Sequence, residues 1–320
     1  MSESPARESG LLTPTKIAVE LVGFVIGLAL LAWCIAGAIE KGGWERLAHA
    51  DAGLVAAMLA CSLLSALING AMFWVTIRPL KRLGFWDLQW LNFVGNLLNY
   101  APVRLGAIAR VVYHLRVDRL NLLQIGGWFT FIGYILCLGI GSCLLATLAR
   151  DRLDWIWVAL VLGQMALGGV LTRVVVGNRL LAKYGQGVDR IIAHPGAIWG
   201  AIGLRLADLA AYSGRMAIAM TILGISLPAT HVIILALVAL AASLIPFGRL
   251  GFREFCVAIT AQRLSMLAAD VEANMQQLAL VESAGEALIF IPLGAVALLW
   301  YRKRWRADRR DRAEAQNAPS

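Results

Sequence analysis

The chain has 320 residues, of which 59% are hydrophobic and 15% charged, with a formal net charge of +9. Its mean hydropathy is +0.71, far from the roughly one-quarter charged composition of a water-soluble domain, which excludes an ordinary soluble fold. Much of the positive charge lies in short segments between apolar runs, where it sets membrane topology and meets anionic headgroups; it does not argue for nucleic acid.

In chain order, residues 1–16 are polar and of mixed charge, and read as a cytoplasmic N-terminal tail. The following apolar run, 17–39, is too long for a signal-peptide core and is followed by no clear cleavage site, so it is expected to be a first transmembrane helix. Further spans are expected at 52–77, 124–148, 155–176, 198–223 and 279–301, each near the ~20 residues that cross a bilayer. Two stretches, 86–117 and 229–268, do not read as simple spans. Each holds two shorter apolar halves around a break, the pattern of a helical hairpin that enters the membrane and leaves on the same side. Residues 303–320 are polar and charged and are expected to be a disordered basic cytoplasmic tail.

Basic residues cluster after the second span (Arg78, Lys81, Arg82), after the fourth (Arg173, Arg179, Lys183, Arg190) and after the last (Arg302, Lys303, Arg304, Arg306). With both broken stretches re-entrant, every cluster falls on the cytoplasmic side, and both termini with them. The two hairpins then point from opposite faces, as in an inverted repeat with halves of about 50–150 and 198–302. The expectation is an all-α polytopic membrane protein with about six transmembrane helices and two re-entrant hairpins. The membrane domain covers 17–302, in a bacterial cytoplasmic membrane.

The breaks carry a doubled motif. The first copy contains Pro102, Arg104, Gly106 and Arg110; the second contains Pro246, Arg249, Gly251, Arg253 and Glu254. Proline and glycine end helices and leave backbone groups unpaired. A guanidinium beside them is always charged and grips a phosphate with two parallel hydrogen bonds. These arginines are therefore candidate ligands of an anionic headgroup, with snorkelling to the interface as the plainer alternative. The span 198–223 carries Arg205, Asp208, Tyr212 and Arg215 at spacings of three, four and three, hence on one helical face. Arg205 and Asp208 suit a neutralising pair, while Arg215 needs a partner from another element. Glu282 and Glu286 are four apart on the last span beside Ser283 and repel each other unless arginines meet them or one is protonated. They read as counter-charges. Gln89, Asn92, Asn96 and Asn99 form an amide stripe, which either lines a cavity or bonds a neighbouring helix.

No nucleophile elbow, phosphate-binding loop or His/Cys cluster is present, so neither a catalytic centre, a metal nor a cofactor is expected. The five cysteines, Cys34, Cys61, Cys137, Cys143 and Cys256, read as apolar packing residues.

Asn99, Pro102, Arg104, Gly106 and Arg110, with Pro246 through Gly251 to Glu254, resemble the membrane domain of lysylphosphatidylglycerol synthases and the wider group of flippase-like membrane proteins, over about residues 15–305. Relatives often carry Glu directly after the first motif's glycine, where this chain has Ala107. Glu254 is retained in the second copy. The sequence ends soon after its last span, so the resemblance implies a stand-alone form that translocates a phospholipid or lipid-linked substrate rather than transferring an aminoacyl group. Partners implied are that lipid and lipid-synthesis enzymes, as for stand-alone members in hopanoid and glycolipid pathways. Two other readings stay open: a membrane-embedded transferase acting on a lipid carrier, with Glu254 or Asp208 as base, and a scaffold for a lipid-synthesis complex.

Overall fold

The computed structural model describes residues 14–40, 48–101, 105–176, 188–244, 250–267 and 275–317. These form helices α1 (Pro14–Glu40), α2 (Ala52–Ile77), α3 (Phe85–Leu98), α4 (Leu105–Arg116), α5 (Leu122–Ala149), α6 (Trp155–Val176), α7 (Val188–Ala193), α8 (Pro195–Leu223), α9 (Ala229–Ala242), α10 (Phe252–Leu267) and α11 (Met275–Asn317). There is no strand among the described residues.

Helix ends follow local chemistry. Asp51 accepts the Leu54 N–H at the start of α2, and Asn121 and Gln124 form a reciprocal capping box on α5. Asp154 accepts the Trp157 N–H at the start of α6. Pro195 occupies the first turn of α8, where it forfeits no helical bond, and Gly224 ends that helix at φ 67.

Six helices are long and apolar enough to cross a membrane: Leu21–Glu40, Ala52–Ile77, Leu122–Ala149, Trp155–Val174, Pro195–Leu223 and Met275–Ala307. They coincide with the six spans expected. The other long segments are short pairs. α3 and α4 have 14 and 12 residues, and α9 and α10 have 14 and 16. At 1.5 Å per residue none exceeds about 24 Å, short of the ~30 Å hydrocarbon core.

The core is built on the α2–α8 contact, with α11 against one side and α5 against the other. Gly139 of α5 admits the Arg205 stem and Leu209 of α8. Trp128 of α5 is fully buried and donates to the Thr76 hydroxyl of α2 at 2.7 Å.

Side-chain contacts fix where the short pairs open. Asp87, near the start of α3, pairs with Arg304 of α11. Arg116, at the end of α4, lies over Trp305, and Tyr113 packs on Trp300 and Tyr301. Both ends of the first pair therefore reach one level of α11, where Lys81 also bonds the Asp118 carbonyl. Thr230, at the start of α9, bonds the Asp151 carbonyl in the α5–α6 connection, which lies at the opposite end of α5. α10 runs along α1 from Gly27 near its middle, through the Trp33–Phe255 contact, towards its C-terminal end. There Gly37 packs on Gln276 at the start of α11. The second pair thus opens at the other end of the bundle.

The first helices of the two pairs end alike. Asn99 and Ser243 are both right-handed C-caps. Each is followed by a tightened turn, Tyr100 N–H to Leu97 and Leu244 N–H to Ala241. The residues expected to form the tips, Pro102, Arg104, Pro246 and Arg249, lie outside the described residues. The segment after 302, read from its composition as a polar tail, continues α11 as helix to Asn317. It is rich in Arg, Ala and Glu, and extending a formed helix costs far less than nucleating one.

Candidate functional site

α8 presents its polar face to α2 and α11. Asp208 accepts a 2.6 Å bond from the Ser65 hydroxyl of α2 and pairs with Arg205 at 2.6 Å. The other Arg205 amine lies 3.2 Å from the Met72 sulfur. Two turns on, Arg215 meets both glutamates of α11. Its Nε donates to Glu282 at 2.8 Å and its Nη2 to Glu286 at 2.9 Å. The guanidinium also lies 4.4 Å from the Tyr212 ring centre, a cation–π contact, and its Nη1 is 3.4 Å from the Ser62 hydroxyl.

Arg253, from the second motif, completes the group. It donates from Nη1 to Glu286 and from Nη2 to both oxygens of Glu282. Each carboxylate is thus shared by two guanidiniums, and all four side chains are at most 2% exposed. The sharing removes the repulsion expected of two acids four residues apart. A lone charge buried among apolar helices is costly, so these residues are tolerable together because each carboxylate meets two guanidiniums.

Glu254 points the other way. It accepts the Gly251 N–H at 2.7 Å and the Ser283 hydroxyl. That bond closes the turn at Gly251, whose φ of 87 suits glycine alone, and an added Cβ there would lie 1.6 Å from the Gly27 carbonyl oxygen of α1. Gly106 serves closeness too, with its missing Cβ 2.0 Å from the Gly95 carbonyl oxygen. The two motif glycines therefore admit different partners: Gly106 admits the first helix of its own pair, and Gly251 admits α1.

Arg110 has its own setting. Its Nη2 donates to the Asn92 carbonyl at 3.2 Å and to the side-chain oxygens of Asn92 and Asn96 at 2.9 and 3.3 Å. Its guanidinium lies 5.1 Å from the Phe73 ring centre. Asn92 and Gln89 both donate to the Ala66 carbonyl of α2, at 3.0 and 3.1 Å. The amide stripe thus bonds neighbouring elements, and Asn99 caps α3 beside Gly106. Asn92, for which cavity lining and bonding to a neighbouring helix were both open, is buried and engaged on both amide atoms.

The structure brings Arg215, Arg253, Glu282 and Glu286 into one cluster, with Asp208 about two turns and Arg205 about three turns away on α8. Arg110 has separate partners, and the two settings are linked through α2, whose Ser62 and Ser65 serve one and whose Ala66 serves the other. Sequence reasoning missed Ser62 and Ser65. Their signal was a polar stripe, Ser62, Ser65 and Asn69, at helical spacing in an otherwise apolar span. It also missed the 2.7 Å contact between the buried His114 and the half-buried Asp118 at the basic end. Among the described residues there is no group of His, Cys, Asp and Glu that would hold a metal ion.

Six apolar spans with charged side chains buried between helices, and two short broken pairs, define a multi-pass helical membrane protein. The family model for the lysylphosphatidylglycerol synthase transmembrane region matches residues 21–271. The chain belongs to that family, and a lipid-related role in the membrane is consistent with it. The matched segment holds Arg110, Arg205, Asp208, Arg215, Arg253 and Glu254, while Glu282 and Glu286 lie beyond it. No curated protein and no solved structure matches the chain.

Proposed function

We propose that this protein moves an anionic phospholipid, or a lipid-linked anion, between the leaflets of a cytoplasmic membrane, acting as a transporter rather than an enzyme. The observation that carries the reading is the cluster of Arg215 and Arg253 on Glu282 and Glu286, buried inside the spans and tied to a motif helix. Structural charges at this depth are costly, and intramembrane ionisable groups mark substrate paths. In this reading Arg215 and Arg253 receive the phosphate, Glu282 and Glu286 hold them in the resting state, and Arg205 with Asp208 lies on the same path. Glu254, Gly251 and Gly106 set the geometry of the two breaks. Arg110 belongs to the second station of the path, and Arg104 and Arg249 are its candidates at the tips.

The short pairs are proposed to be re-entrant hairpins of an inverted repeat. Their lengths, their opening at opposite ends and the matching ends at Asn99 and Ser243 support this. Alternating access then follows from rocking one pair against α2, α8 and α11. Arg78, Lys81, Arg82 and Arg302 to Arg306 would face the cytoplasm, as would both termini. Lipid-synthesis enzymes are proposed as suppliers of the substrate.

The test is leaflet exchange of a labelled anionic phospholipid in vesicles holding the purified, folded chain. Accelerated exchange is expected, with loss in Arg253→Gln. Exchange no faster than in protein-free vesicles, across anionic phospholipids and lipid-linked phosphates, would sink the proposal.

A further inference from the structure

The cluster raises a question of charge balance. Arg215 and Arg253 against Glu282 and Glu286 make a neutral set of four. The ionisable groups facing it are Tyr212 and Asp208 from α8 and Glu254 from α10. Ser62 reaches it from α2, Arg205 sits on Asp208, and Cys34 of α1 lies near Glu254. Counting the arginines and carboxylates as ionised, this wider set holds three arginines (Arg205, Arg215, Arg253) and four carboxylates (Asp208, Glu254, Glu282, Glu286), so it has no positive charge to spare.

A phosphodiester that takes Arg215 and Arg253 as ligands brings one more negative charge. In a low-dielectric interior, unit charges a few ångströms apart interact many times more strongly than in water, so the excess must be removed. The acids cannot leave one at a time. Glu282 and Glu286 are one turn apart on one helix, and the backbone between them at Gly285 packs against the Met58 side chain of α2, which keeps both on the same packed face. A proton can arrive where a carboxylate cannot move away.

Resting on the translocation reading, we infer that phosphate binding is coupled to proton uptake at the Glu282–Glu286 pair. As the headgroup phosphate takes over the guanidiniums, a proton from water on the entry side joins a carboxylate oxygen of the pair. When the phosphate leaves on the other side, that proton returns to water and the carboxylates recapture the arginines. By this balance about one proton accompanies each phosphodiester in the same direction. The transfer is electroneutral, so a pH gradient drives it and a membrane potential does not.

The experiment uses the full chain in vesicles with fluorescent phosphatidylglycerol outside and a pH-sensitive dye inside. The expected result is acidification of the lumen in step with inward lipid movement. An acid-outside gradient should accelerate the movement, and an imposed potassium-diffusion potential should leave it unchanged. Glu282→Gln and Glu286→Gln each keep an acceptor oxygen for the arginines, and each should lose acidification per lipid moved. Lipid movement with no lumen pH change in the parent protein overturns the inference while leaving translocation intact. Coupling that survives in both variants overturns it as well. Absence of lipid movement in the folded parent defeats translocation itself, and this inference with it.

Discussion

Arg215 is held by two carboxylates, a hydroxyl and an aromatic face, so its worth lies in company. Removing one member of a buried ion pair leaves an uncompensated charge, and Arg215→Ala should destabilise the fold by about 3–5 kcal/mol. Removing both signs together, as in Arg215→Met with Glu282→Leu, should restore most of that loss. Thermal unfolding in detergent with a double-mutant cycle measures the coupling, and additive losses would count against the shared cluster. Gly251 makes a different prediction. Gly251→Ala meets both an unfavourable φ and the Gly27 carbonyl, so α1 must shift from α10. Cross-linking between cysteines placed at Trp33 and Phe255 should fall in that variant. The sequence shows that Arg215 needs a partner, and it names Glu282 and Glu286 as candidates, because an unpaired charge is improbable in an apolar span. It does not show that Arg253 shares both acids and that Arg110 is held by amides, since that depends on which helices become neighbours.

At the scale of elements, the short pairs depend on close backbone approach. Gly106→Val should force α4 away from the Gly95 carbonyl of α3 and lower the melting temperature, whereas substitution at Gly126, which has open space around it, should be tolerated. The connection between α5 and α6 carries a pH-dependent cap. The Trp157 N–H, then the Arg150 side chain, holds the Asp154 carboxyl below its ordinary value of 3.8. A depressed folded value means the cap's contribution is present above the ordinary carboxylate range and is lost as pH falls through the lower folded value. Asp154→Asn should therefore lower the melting temperature relative to the parent at neutral pH. The gap should close at acid pH, and a pH-independent difference would refute the assignment. Asp51, Pro195 and Gly224 end their helices by local chemistry, whereas the expected bounds rested on apolar length and set the start of α8 at 198 rather than Pro195. The continuation of α11 past 302 was not legible, because its polar composition suggested disorder while propagation from the preceding span favours helix.

For the whole molecule, the contacts of α11 with Asp87 and Arg116 place the connection after α2, both ends of the first short pair and the segment after 300 at one end. Asp151 lies at the other. In a background freed of the five native cysteines, single cysteines at Arg82 and Lys303 should react with an impermeant reagent from one side of the membrane, and a cysteine at Asp151 from the opposite side. Labelling of all three from one side would contradict the arrangement.

The six spans, the two broken stretches and the family motifs follow from the sequence by itself, because hydrophobic length, proline, glycine and charge act within a few residues along the chain. The opposed pointing of the two pairs was already implied by the basic clusters, but that Arg253 shares Glu282 and Glu286 with Arg215, and that Arg110 is held by Asn92 and Asn96, came only from the tertiary structure. Both depend on how separate helices, such as α8, α10 and α11, are packed together. In a bilayer a buried charge is stable only beside the partner that such packing supplies.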